Sequence, residues 1–302
     1  MKKQPLKYRL NVVGGALILF LTLRTYIPYF RMQLGLNRNF NIWLIVYMLT
    51  LSFSCLLPIA FIERMCDFHP DVLMKKQFRA EDFALVAAGM GLFIVFSLIN
   101  SIVLNPLAKA GIIFPPSKLE PINGPFTFFL YFIFTAITPA IFEELFLRGT
   151  VLNLLMPYGR KFAILACATV FTMMHTQIQT FIPVFGAGLV LSCIYVYTDN
   201  IYVSMALHFV NNTYSFLMMY MQDNINGISF MGFATFMMAV IITSGIFAFL
   251  ALRKLKINIF TPLAEKGKNA KLTTFFKCPV MVLAIIGCSI AIFSQLYIDL
   301  NL

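Results

Sequence analysis

The chain has 302 residues, of which 60% are hydrophobic and 12% charged, with 33 phenylalanines among them. Soluble domains carry about 25% charged residues. A water-soluble fold of this composition would expose apolar surface that promotes aggregation, so the composition argues for lipid as the solvent. The net charge of +11 invites a nucleic-acid reading, which its placement along the chain argues against.

A helix needs about 20 apolar residues to cross the hydrocarbon core. In chain order, nine runs meet that length, at about 10–30, 42–61, 83–104, 125–147, 162–179, 181–198, 201–221, 228–252 and 279–298. The break near Thr180 and Pro183 is weak, so eight spans is the alternative count. The first run follows a basic head, Met1–Arg9, and lacks a small-residue cleavage site. It reads as an uncleaved first helix. Only helices and closed barrels satisfy the backbone in lipid, and these runs are too long and evenly apolar for barrel strands. The expected fold is all-α, a polytopic transmembrane bundle of eight or nine helices.

The stretch 105–124, with Pro106, Pro115, Pro116, Pro121 and Gly124, cannot be one regular helix. It divides the chain into an N-terminal part (1–124), a core (125–221), and C-terminal helices with a basic loop (222–302). No internal repeat, low-complexity tract or water-soluble domain is evident. The six cysteines, at 55, 66, 167, 193, 278 and 288, form no CxxC or metal-ligand spacing. They are expected to be buried small apolar side chains.

Lysine and arginine set the orientation. Lys2, Lys3, Lys7 and Arg9 lie in the head, and Arg64, Lys75, Lys76 and Arg79 in the 62–82 loop. Arg148, Arg160 and Lys161 follow the fourth run, and seven more lie in the 253–278 loop. With nine spans and a cytoplasmic N-terminus, these 18 of the 23 basic residues share the cytoplasmic side. The opposite loops keep Arg31, Arg38, Lys109 and Lys118. The basic excess is therefore mostly a topology signal that can also meet anionic lipid heads. The expected location is the cell membrane, with the lipid bilayer as a partner and no nucleic acid.

Ionisable residues inside spans are costly and mark function. Arg24, toward the outer end of the first run, reads as a snorkelling side chain. The others cluster further along. In Ile-Phe-Glu-Glu-Leu-Phe-Leu-Arg-Gly, residues 141–149, Glu144 and Arg148 are four apart and can pair on one helix face. Glu143 points about 100° away from Glu144, so one acid can be salt-bridged while the other faces a cavity as a general base. The blander reading is two interfacial acids near a helix end, balanced by Arg148. Pro139, four residues before Glu143, can bend that helix. Phe171 and His175, then His208 and Asn212, are two further pairs at four-residue spacing. Either histidine alone could be a packing residue, and His69 lies in a charged loop. Together, Glu143, His175, His208 and Asn212 around one cavity can activate a water and stabilise a tetrahedral oxyanion. Glu143, His175 and His208 are also a possible catalytic zinc set, although HExxH is absent. His175, about 14 residues past Lys161 or roughly 21 Å along a straight helix, would lie deeper than Glu143 and His208 unless its helix is tilted or starts later.

At these residues the sequence resembles the CAAX protease and bacteriocin-processing (CPBP, or Abi) family of intramembrane endopeptidases. Its Glu-Glu-x-x-x-Arg motif matches Glu143, Glu144 and Arg148. Phe-x-x-x-His matches Phe171 and His175, and His-x-x-x-Asn matches His208 and Asn212. The three occur in order over about 125–215, with no departure from the pattern, and the composition fits a bacterial member. The resemblance implies that Glu143 activates water with help from His175, that His208 and Asn212 stabilise the oxyanion, and that Glu144 and Arg148 order the site. It favours metal-free chemistry, with Zn2+ as the alternative cofactor. It implies a membrane-associated peptide or protein substrate, in peptide maturation or bacteriocin self-immunity. A transporter or peptide-binding immunity protein is the rival reading, and a membrane scaffold acting through the 253–278 loop a third. The sequence is silent on oligomeric state.

Overall fold

A computed structural model describes residues 4–33, 39–69, 77–110, 122–264 and 270–301; side chains of 27–33 and 294–301 fall outside this set. Every regular element among the described residues is helical. Nine long helices follow one another: α1 (Leu6–Gln33), α2 (Phe40–Cys66), α3 (Ala80–Lys109), α4 (Pro125–Tyr158), α5 (Arg160–His175), α6 (Phe181–Thr198), α7 (Ile201–Asn224), α8 (Gly227–Lys254) and α9 (Pro279–Asn301). Their ends carry local signals. Asn39, Asn200 and Asn226 each accept from a backbone N–H in the first turn of α2, α7 and α8, as N-cap asparagines do. Asp67, Thr176 and Asp199 close α2, α5 and α6 in the left-handed conformation.

Six of these helices, α1, α2, α3, α4, α6 and α8, are long and apolar enough to cross a membrane by length and composition. The described part of α9, Pro279–Phe293, is a shorter apolar helix. α5 has 16 residues, about 24 Å at 1.5 Å per residue. α7 has 24 residues but carries His208, Asn211, Asn212, Gln222, Asp223 and Asn224. The two helices outside the apolar criterion are thus short or polar, and both carry site motifs. The protein is a multi-pass helical membrane protein.

Three boundaries differ from expectation. α3 continues through Pro106 to Lys109, because near a C-terminus the proline removes little of the remaining hydrogen-bond ladder. α4 runs on to Tyr158 rather than ending near 147. Arg148 is consequently fully buried inside the bundle and is not part of a cytoplasmic link. α5 stops at His175, not 179. Pro115, Pro116 and Pro121, and Lys2, Lys3, Arg38, Lys75, Lys76, Lys118, Lys266 and Lys268, lie outside the described residues.

Close helix approaches are made by small residues, as lipid-embedded packing favours. A Cβ on Gly14 would lie 2.7 Å from the Met281 backbone, and one on Gly245 would lie 2.9 Å from the Gly91 Cα. One on Gly188 would lie 3.0 Å from the Ala168 Cα, so α6 rests on α5. The main core includes Phe146, Leu147, Ala163, Cys167, Val170, Phe171, Val190, Ile194 and Leu207, from the three helices that carry the motifs and from α6. All six cysteines are buried and free.

Candidate active site

α4 is not a uniform helix. Ile133–Ile137 and Leu145–Leu152 are π-helical, and Thr138–Glu144 between them is α-helical. Pro139 supplies a reason for the first interruption. A proline lacks the N–H for the i−4 carbonyl and crowds it, and just before it the Thr138 N–H bonds back five residues to the Ile133 carbonyl. The Thr138 hydroxyl donates to the same oxygen at 3.0 Å. Glu143 and Glu144 therefore sit on a short α segment bracketed by two wide turns, a feature often found at functional sites.

Glu144 is fully buried. Its Oε1 accepts from Arg148 Nη1 at 2.7 Å and from His208 Nδ1 at 2.9 Å. Arg148 also donates from Nη2 to the Gly188 carbonyl at 3.2 Å, and its guanidinium lies 5.0 Å from the Phe171 ring centroid. The predicted Glu144–Arg148 pair is thus present, and it does more than pair. Through it α4 is tied to α7 at His208, to α6 at Gly188 and to α5 at Phe171. Phe171 meets His175 and His208 edge-on, with centroids 4.6 and 5.9 Å away.

Glu143 is 4% exposed. Its Oε2 is 3.9 Å from His208 Nε2, beyond direct hydrogen-bond range. That oxygen is buried and has no hydrogen-bond partner among the described residues. His208 therefore stands between the two glutamates, one at each ring nitrogen. His175 is the last residue of α5, and its Nδ1 donates to the Phe171 carbonyl at 2.8 Å. A carbonyl only accepts, so Nδ1 carries the hydrogen, and in the neutral ring Nε2 presents a lone pair. His175 and His208 nevertheless line one cavity, so the expected difference in depth does not separate them.

That cavity, about 280 Å³, is lined by His175, His208, Asn211, Asn212 and Ser215, by Ser97 and Phe93 of α3, and by Phe171, Thr180, Pro183, Val184, Ala187 and Leu191. Glu143 is not among the lining side chains; it reaches the site beside His208. A second cavity, about 530 Å³, lies between α3, α7 and α8. Its polar side chains are only Thr213, Tyr214 and Ser244, against Phe78, Phe83, Met90, Met218, Met221 and Met237. Neither acid nor histidine lines it, and the motif histidines line the smaller one.

Sequence reading missed three features of this site. α3 supplies part of the cavity wall, although the first three helices lie outside the motifs. Asn211 turns into the same cavity as Asn212, to whose Oδ1 its Nδ2 donates at 3.2 Å; the adjacent pair of amides in α7 was the available signal. Arg24 is half-buried with its guanidinium 5.9 Å from the Phe20 ring centroid, and Phe20 stacks on Phe146 of α4. Through these two rings it is linked to the helix that carries the glutamates. His69 is exposed, away from it.

Among the described residues, no three His, Cys, Asp or Glu side chains converge as metal ligands. His208 Nδ1 bonds Glu144 and His175 Nδ1 bonds the Phe171 carbonyl, which fixes both rings and leaves each Nε2 open to the site.

A family model described as type II CAAX prenyl endopeptidase Rce1-like matches residues 125–214. The chain carries an Rce1-like domain. All seven motif residues, from Glu143 to Asn212, fall within it, and the match bears out the CAAX-protease resemblance. Residues 1–124 and 215–302 lie outside the match. No curated protein and no solved structure matches the chain.

Proposed function

We propose that the Rce1-like domain is a working intramembrane endopeptidase that hydrolyses a peptide bond in a membrane-associated peptide or protein. The observation that carries this reading is His208 between two buried glutamates, beside a cavity that also holds His175 and Asn212. Glu143 is the general base. It takes a proton from a water that also donates a hydrogen bond to the His175 Nε2 lone pair. The resulting hydroxide attacks the scissile carbonyl carbon. The carbonyl oxygen becomes an oxyanion, which accepts from the Asn212 amide and from His208 Nε2. For His208 to donate from Nε2 while donating from Nδ1 to Glu144, the ring must be an imidazolium. Glu144 and Arg148 supply its environment: with Glu143 ionised, two carboxylates face one guanidinium and one imidazolium, and the site is neutral overall. Glu143 then passes its proton to the leaving amine as the C–N bond breaks.

The domain's family and the membrane fold favour a lipid-associated substrate, either a C-terminal CAAX-type segment or a hydrophobic peptide, as in maturation or bacteriocin self-immunity. We place the protein in the cell membrane with a cytoplasmic N-terminus, on the strength of the basic residues at 7, 9, 64, 160, 161, 253, 254 and 256. The test is incubation of the purified full chain with a library of membrane-associated peptides, including farnesylated CAAX peptides, with and without a chelator. The reading predicts internal cleavage that survives chelation with no stoichiometric metal. Loss of cleavage on chelation, restored by Zn2+, would overturn the metal-free mechanism, and no cleavage of any peptide would overturn the protease.

A further inference from the structure

We infer that Asn211 is a positioning residue of the oxyanion site, fixing which end of the Asn212 amide faces the cavity. The assignment rests on the proteolytic reading above. A primary amide has an accepting end and a donating end, and only the NH2 can stabilise an oxyanion. The terminal torsion of asparagine is soft and roughly two-fold, so without a constraint both ends would be presented. Asn211 Nδ2 donates to Asn212 Oδ1 at 3.2 Å, which occupies the accepting end and leaves the NH2 for the cavity. Flipping Asn212 alone would bring two NH2 groups face to face, so Asn212 can turn only if Asn211 turns with it. Consecutive residues on a helix do not ordinarily face one another. These two meet because both turn into the cavity with His208 and Ser215, so the contact belongs to the site and not to helix geometry. It provides the preorganisation of a donor on which oxyanion stabilisation depends.

The test is a double-mutant cycle on the library peptide that the wild-type protein cuts fastest, with thermal stability in detergent measured alongside. Asn212→Ala should lower kcat by roughly 10²–10³-fold, the effect of removing one oxyanion donor. Asn211→Ala should lower kcat by about two- to tenfold at unchanged KM, the worth of one neutral hydrogen bond. Asn211→Asp should be worse than Asn211→Ala, because a carboxylate accepts from the Asn212 NH2 and draws the donor away. In the Asn212→Ala background, Asn211→Ala should have no further effect. Additive effects would mean that Asn211 acts on its own and overturn the inference, as would full activity in both Asn211 variants while Asn212→Ala is impaired. Full activity in Asn212→Ala would overturn the oxyanion role of Asn212 and the inference with it, whereas no cleavage of any peptide by the wild-type protein would overturn the proteolytic reading.

Discussion

Arg148 is a fully buried cation that bonds Glu144 and the Gly188 carbonyl and lies over Phe171. Removing one member of a buried ion pair leaves the other uncompensated, at a cost of about 3–5 kcal/mol. Arg148→Ala is expected to lower the melting temperature in detergent strongly and to abolish activity through displacement of His208. Arg148→Lys should not restore either, because an ammonium lacks the planar fork that serves Glu144 and Gly188 together. A Lys variant with wild-type melting and activity would show that charge alone suffices. The adjacent glutamates differ in kind. Each has a buried Oε2 with no hydrogen-bond partner among the described residues, but Glu144 is held at Oε1 by Arg148 and His208, whereas Glu143 meets His208 only at 3.9 Å. The Glu144–Arg148 pair was legible because four-residue spacing is a local property. The Glu144–His208 bond joins residues 64 apart, and no local spacing encodes it.

At the scale of elements, α6 must approach α5 closely for Gly188 to reach Arg148. A Cβ there would meet the Ala168 Cα at 3.0 Å and the Phe171 ring at 3.1 Å. Gly188→Val is therefore expected to push Phe171 off the two histidines and cut turnover at least tenfold, with a smaller loss of melting temperature than Arg148→Ala. A pronounced overpacking penalty, in the usual range of about 1–3 kcal/mol, with unchanged turnover would separate packing from site geometry and count against this coupling. The nine runs expected from the sequence each correspond to a helix among the described residues, although α5 and α7 are shorter or more polar than a membrane span requires. Hydropathy misplaced the end of α4, where the run becomes polar at Arg148, Asn153 and Tyr158 although the helix continues. The π-helical turns around the glutamates were not legible either. Pro139 announces a disturbance, but whether the ladder bends or widens depends on packing against α2 and α7.

At the scale of the molecule, the proposed cytoplasmic N-terminus with nine crossings would put the α7–α8 turn on the outer face and the end of α8 on the cytoplasmic face. In intact cells, a cysteine at Asn226 in a cysteine-free background should react with an impermeant thiol reagent from outside. One at Lys254 should react only after the membrane is permeabilised. The reverse pattern would invert the bundle, and labelling of both from one side would change the number of crossings. The Rce1-like domain occupies α4 to α7, yet α3 lines the cavity with Phe93 and Ser97. A helix outside the domain therefore supplies part of the cavity wall.

The central claim is that Glu143 activates the water. The direct measurement is the turnover of Glu143→Gln on the best-cut peptide, against wild type at matched melting temperature. Glutamine keeps the shape and cannot take the proton, so cleavage should fall by at least the 10²–10⁴-fold that general-base catalysis contributes, with the protein still folded. Cleavage at the wild-type rate would contradict the mechanism.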